Sequence, residues 1–151
     1  MQMGLAEIGK TENIGLRVLI EEAGLSDKVI SEYHIGFIIG PCINATGRLE
    51  SGRLAVELFC TQNEKEAREK ARHLVMLNAE RKQLTEEAAE RADIALQEGD
   101  ALQDRVLVLY DAEIHESIAG IVAGRIKDKY YRPTILITGQ RGRSKGLRQK
   151  H

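Results

Sequence analysis

Apolar residues recur at helical spacing from the start of the chain. Ile14, Leu16, Leu19, Ile20 and Ala23 predict one helix, with Gly24 as its stop. Ser26 and Asp27 are the cap candidates for a second helix. It would run into Ile35-Gly36-Phe37-Ile38-Ile39 until Gly40-Pro41 interrupts it. A third helix is predicted over Leu54 to Phe59. From Asn63 to Glu98 there is no Gly or Pro, and Ala, Glu, Lys, Arg and Leu dominate. That composition predicts one helix about 50 Å long, with Thr61 to Glu64 as its capping box. Glu64/Arg68, Glu66/Lys70 and Glu87/Arg91 are set four apart with the acid first, the better orientation. A heptad through Ala67, Ala71 and Leu74 would put Asn78, Arg81 and Thr85 in the seam. The helix is therefore read as a connector rather than a coiled coil.

After Gly99 the period shortens. Residues 105–110 (Arg-Val-Leu-Val-Leu-Tyr) and 134–138 (Thr-Ile-Leu-Ile-Thr) are strand-like, and Ile118 to Lys129 is helical between them. Strand, helix and strand in so short a stretch predict parallel pairing in a βαβ unit. The expected fold class is therefore α/β. An N-terminal helical segment (1–60) is followed by a long connector helix (61–104) and a partial α/β domain (105–151). Two strands do not make a self-sufficient sheet. The unpaired strand edge is thus an expected route to self-association.

Composition narrows the class. In 151 residues, 42% are hydrophobic and 30% charged, as in an ordinary globular protein. There are four Tyr, two Phe and no Trp, so the core must be aliphatic. No apolar run reaches the ~18–20 residues of a membrane span, and the N-terminus lacks a secretion signal. Cys42 and Cys60 are too few and too irregularly placed for a disulfide framework or zinc site. A cytoplasmic chain with reduced thiols and no membrane partner is expected. Net charge is only −1, but residues 105–151 hold ten Lys/Arg against four Asp/Glu. An anionic partner should meet this basic third.

Two stretches could carry chemistry. In Gly40-Pro41-Cys42-Ile43-Asn44-Ala45-Thr46-Gly47-Arg48-Leu49, Asn44 can donate and accept, and Arg48 offers a planar fork suited to phosphate. On spacing alone, a Gly/Pro-broken turn with an exposed Arg is the favoured reading. In His115 to Arg125 a strand gives way to a helix, the usual ligand crevice of such units, and helix N-termini suit anions. His115 would stand at the mouth. Gly120 and Gly124, one turn apart, leave a bare helix face for close packing, and on this stretch alone helix–sheet packing with His115 as a polar loop residue is the favoured reading. No nucleotide-binding fingerprint and no metal-ligand spacing is present.

Together, and in this order across a long helix, the two motifs resemble the single-strand-specific exonucleases of the DHH phosphoesterase family. The likeness starts near Asn13-Ile14-Gly15-Leu16-Arg17. It passes through His34-Ile35-Gly36-Phe37 and Asn44-Ala45-Thr46-Gly47-Arg48, and ends at Arg132 and Pro133 to Ile137. It implies the end of a DHH domain, the connector helix and the start of a truncated DHH-associated domain. It also implies single-stranded DNA as partner and 5′-to-3′ exonuclease chemistry with Mn or Mg in a full-length relative. Asn44, Arg48, His115, Gly120 and Arg125 would contact nucleic acid. The family's aspartate-rich motifs and Asp-His-His triplet have no counterpart here. The resemblance therefore implies no metal or cofactor bound by this chain, and no catalytic residue or activity in it alone. Rival readings are a DHH-type phosphodiesterase for oligonucleotides or cyclic dinucleotides, and a non-catalytic nucleic-acid-binding module. Two positions depart from the family: Cys42, where many relatives have Arg, and Ile114, where many have Trp. The tail departs more. The family's Gly-Ser-Gly-Arg-Ser loop is expected where Ser144 to His151 stand. One permitted coding of these residues, read one base later, restores that loop. A frameshift just before Ser144 is the expectation.

Overall fold

The computed structural model describes residues 2–44 and 49–139, the side chains of residues 2, 3, 6 and 49–51 excepted. The tail from Ser144, with its expected frameshift, lies outside the described residues. The chain forms two compact units that divide between Leu84 and Thr85.

The first unit is helical. It contains α1 (Gln2–Ile8), α2 (Ile14–Glu22), α3 (Glu32–His34), a π-helical turn (Ile35–Ile39), α4 (Gly40–Ile43) and α5 (Leu49–Cys60). It also holds most of α6 (Glu64–Glu98). Asn13 starts α2: its Oδ1 accepts from the Leu16 amide at 2.9 Å, and its Nδ2 donates to the Phe59 carbonyl at 2.8 Å. One side chain therefore caps α2 and ties it to the end of α5. Gly24 closes the helix at φ +73°, as its position suggests.

The second predicted helix is corrected. Ser26 and Asp27 cap nothing, and helix begins only at Glu32. Ser31 is its N-cap, and His34 takes the place usually held by Glu or Gln in a capping box. His34 Nδ1 accepts from the Ser31 amide at 3.1 Å. Nor does Gly40-Pro41 break the chain. Pro41 has no amide to donate, and in a regular α-helix its ring would press on the carbonyl four residues back. The wider π turn lies immediately before it, with the Gly40 amide bonded to the Ile35 carbonyl.

The start of α6 also differs from expectation. Asn63, not Thr61, is the cap, accepting from Lys65 at 2.9 Å and Glu66 at 3.3 Å. The Thr61 hydroxyl donates to Glu66 at 2.7 Å. The register through Ala67, Ala71 and Leu74 proves to be the buried face of the helix, and it continues through Asn78 and Thr85 to Ala88, Ala92 and Leu96. In the first unit it packs against short helices rather than a long partner, so polar seam residues are tolerated where bonds meet them.

Ion pairs join α2 to α6. Arg68 reaches Glu22 and Glu21 at 2.9 Å and Glu64 at 3.2 Å, while Arg72 meets Glu22 at 3.1 Å. Burial pulls the Glu22 carboxyl up, but hydrogen bonds from Arg68 and Arg72 outweigh it and hold the group below its usual range. Hydrogen bonds from Arg68 and Arg17 lower Glu64 likewise. A carboxylate lowered in the folded state adds stability above its unfolded pKa, about 4.3 for Glu. That contribution fades as pH falls through the folded value. Thermal unfolding should shift downward on acidification below about pH 5, and Glu22→Gln should flatten the shift. Equal pH slopes for both proteins would remove the network from the account.

The second unit holds the end of α6, a 3-10 turn (Asp100–Gln103), β1 (Leu107–Asp111), α7 (Glu116–Tyr130) and β2 (Thr134–Thr138). The strands pair in parallel, from Leu107↔Thr134 to Asp111↔Thr138. The α/β reading therefore holds. β1 starts two residues later than expected, because the ladder opens with the Leu107 amide on the Pro133 carbonyl at 2.8 Å. Leu107, Leu109 and Leu136 pack with Ile118, Val122 and Ile126 of α7 and with Ala88, Ala92 and Leu96 of α6. Asp93 accepts from Lys129 and Tyr130 at 2.7 Å, which pins the end of α7. Arg132 donates to the carbonyls of Leu102 and Asp104. No helix among the described residues is long and apolar enough to cross a membrane.

Candidate nucleic-acid interface

Each unit carries one of the two motifs. In the first, the helical run from Glu32 ends at Asn44, whose amide bonds the Gly40 carbonyl at 3.0 Å. Asn44 is exposed, so its amide side chain can meet a ligand. Ala45 to Arg48 lie outside the described residues, and the role expected of Arg48 rests on sequence. Gly40-Pro41 is helical rather than a broken turn, so Asn44 is delivered by a helix end.

What holds that helix end is a contact distant in the chain. Cys42 is buried, and its Sγ accepts from Asn78 Nδ2 at 3.5 Å. Asn78 Oδ1 in turn accepts from Arg81 Nη2 at 3.1 Å. Burial pushes the Cys42 thiol up, against a hydrogen bond from Asn78 and the positive charges of Lys82 and Arg81. The thiol is therefore neutral and structural. Two cations of α6 are brought near the residue that precedes the Asn44 motif by two. The only available signal was that Asn78 and Arg81 break an otherwise apolar stripe.

In the second unit, His115 is the N-cap of α7. Its Nδ1 accepts from the Ser117 amide at 3.1 Å and lies 2.7 Å from the Ser117 hydroxyl. An Nδ1 that accepts an amide hydrogen carries none itself, so the neutral ring holds its hydrogen on Nε2. His115 can thus present a donor beside the first turn of a helix, where positive partial charge favours an anion. The buried face of α7 is Ile118, Val122 and Ile126. Gly120 and Gly124 lie away from it, and a Cβ added to either would meet nothing within 4 Å. The packing role considered for them is therefore corrected: the bare face is not pressed against the sheet. Arg125 is exposed on α7 and makes no ion pair among the described residues. Lys129 and Arg132, also in the basic third, are already engaged.

Among the described residues, no three His, Cys, Asp or Glu side chains come together as a metal-ligand group. The donor set of the described residues does not fit the ion expected in a full-length relative.

Comparison with known proteins gives a consistent result. The chain matches no protein-family model. It is 32% identical over 146 residues to the single-stranded-DNA-specific exonuclease RecJ of Bacillus subtilis, covering 95% of this chain and 18% of that protein. It is 35% identical over 144 residues to RecJ of Thermus thermophilus, covering 95% of this chain and 21% of that protein. The crystal structure of the Thermus thermophilus protein with Mg2+ superimposes with a TM-score of 0.74 at 34% identity, over 89% of this chain and 21% of that one. Exonuclease RecJ bound to manganese gives 0.73 at 34% identity, over 90% of this chain and 34% of that one. The chain spans about a fifth of the length of the curated relatives it matches.

Proposed function

From a chain that is RecJ-like over 95% of its length, we infer that it is the DNA-contacting part of a 5′-to-3′ single-stranded-DNA exonuclease, without the metal site. The reading rests above all on the backbone match to RecJ crystal structures at 34% identity. In it, Asn44 and Arg48 bond phosphate oxygens from the first unit. His115 donates through Nε2 from the second, Gly120 lets the sugar–phosphate chain approach α7, and Arg125 adds charge. Hydrogen bonds to charged groups are the stronger kind, which suits Arg48 and Arg125 to phosphate. The parent reaction is metal-assisted hydrolysis of a phosphodiester. This chain binds and orients the strand for it.

Binding of a labelled single strand tests this directly. Neutralising Z phosphates gives a log–log salt slope of about −0.7Z for single strands, so about three contacts give roughly −2. Arg125→Ala should reduce the slope by about 0.7 without disturbing the fold. A flat salt response would contradict the reading.

A further inference from the structure

The chain has only six aromatic residues, yet two of them are stacked and face outward. Tyr33 and Phe37 are 62% and 66% exposed, with ring centroids 5.0 Å apart and planes inclined by 24°. The His34 ring stands edge-on to Tyr33 at 6.0 Å and 81°. His34 is fixed in turn by its bond to the Ser31 amide. The core side of this helical run is Ile35, Ile38, Ile39 and Cys42. Tyr33, Gly36, Phe37 and Asn44 are exposed. A Cβ at Gly36 would meet nothing within 4 Å, so the helix surface beside the ring pair is open.

We propose that Tyr33 and Phe37 form a stacking platform for unpaired bases of single-stranded nucleic acid, on the helical run that ends in Asn44. The proposal rests on the DNA-binding reading above and adds to it the contact that grips bases rather than phosphates. Neighbouring aromatic rings four apart support a helix slightly, but that does not require them to face water. A protein partner fits less well. Two aromatic side chains offer roughly 300–500 Å² together, below the ~800 Å² per partner of a standard protein interface. A base needs only a ring face, and every base has one. Phe37 precedes Asn44 by seven residues, about 10 Å of helix, so one strand can meet ring and amide together. Aromatic faces on which successive bases stack are the usual equipment for binding single strands.

The full chain is titrated against a labelled thymidine oligonucleotide and against the same oligonucleotide with abasic residues, at equal salt. The intact strand should bind about tenfold tighter. Phe37→Leu, which keeps the apolar bulk and removes the ring, should abolish the preference, while Tyr33→Phe should retain it. A 2-aminopurine base should be quenched on binding to the wild-type chain and not to Phe37→Leu. If Phe37→Leu loses its helical circular dichroism, the wild-type comparison of intact with abasic strands decides alone. Equal, salt-sensitive binding of both strands overturns the platform and leaves the phosphate contacts standing. No binding of either strand at low salt overturns the DNA reading itself, and the platform with it.

Discussion

Incubated with labelled single-stranded DNA and manganese or magnesium, this chain should leave the DNA intact. Metal-assisted phosphodiester hydrolysis needs an ion held by several protein ligands, with room left for water and substrate. Hard divalent ions take carboxylate and carbonyl oxygens, with imidazole added for manganese. The described residues bring no three such side chains together. The positions whose side chains are not described add only Glu50 and His151 to the donor list. Arg48 and Arg125 can hold a phosphate but not a cation, and the Asn44 amide oxygen offers a single neutral ligand. Because enzymatic and uncatalysed rates differ by many orders of magnitude, the outcome is close to all or none. A full-length relative digests the same DNA under the same conditions and serves as the positive control. Release of nucleotides by the purified chain, lost on chelation and lost in Arg48→Ala, would sink the prediction.

How far the sequence disclosed this arrangement depended on how local each cause was. α2, α6 and β2 were legible because their signals are local: an apolar repeat stopped by Gly24, a long stretch free of Gly and Pro, and a β-branched run after Pro133. The segment after Leu25 misled because Ser26 and Asp27 look like caps. The real cap, Ser31, draws on a histidine at a position where glutamate is expected. Gly40-Pro41 misled because the π turn that accommodates a proline has no residue signature of its own. In the site, Asn44 and His115 stood in recognisable wording. Asn78 and Arg81 did not, since their link to Cys42 spans 36 residues of chain for the nearer bond. Gly120 and Gly124 were ambiguous for a different reason. A glycine states that a side chain is absent, and only packing states on which side.

Gly15 gives the sharpest test of the first unit, and Gly15→Ala is expected to unfold it at a much lower temperature. The residue lies in the first turn of α2, buried, with an ordinary helical backbone, so conformational freedom is not what it supplies. A Cβ built there would lie 2.0 Å from the Leu58 carbonyl oxygen, 2.6 Å from the Leu58 carbonyl carbon and 3.1 Å from the Phe59 Cα. All three are backbone atoms of α5, so no side-chain rotation relieves the clash. To accept a methyl group, α2 and α5 would have to separate by more than 1 Å. That separation would stretch the Asn13–Phe59 bond and loosen Val18, Leu19 and Leu58 in the core. Overpacking a core costs about 1–3 kcal/mol, and a clash confined to backbone belongs at or above the top of that range. For a unit of this size, ~3 kcal/mol lowers the midpoint by roughly 12 °C or more. Gly52→Ala is the internal control. It is exposed in α5, a Cβ there meets nothing within 4 Å, and helix propensity predicts a gain of up to about 1 kcal/mol. Circular dichroism melts of the three proteins decide the matter. Similar midpoints for Gly15→Ala and Gly52→Ala would mean that α2 and α5 do not approach at Gly15.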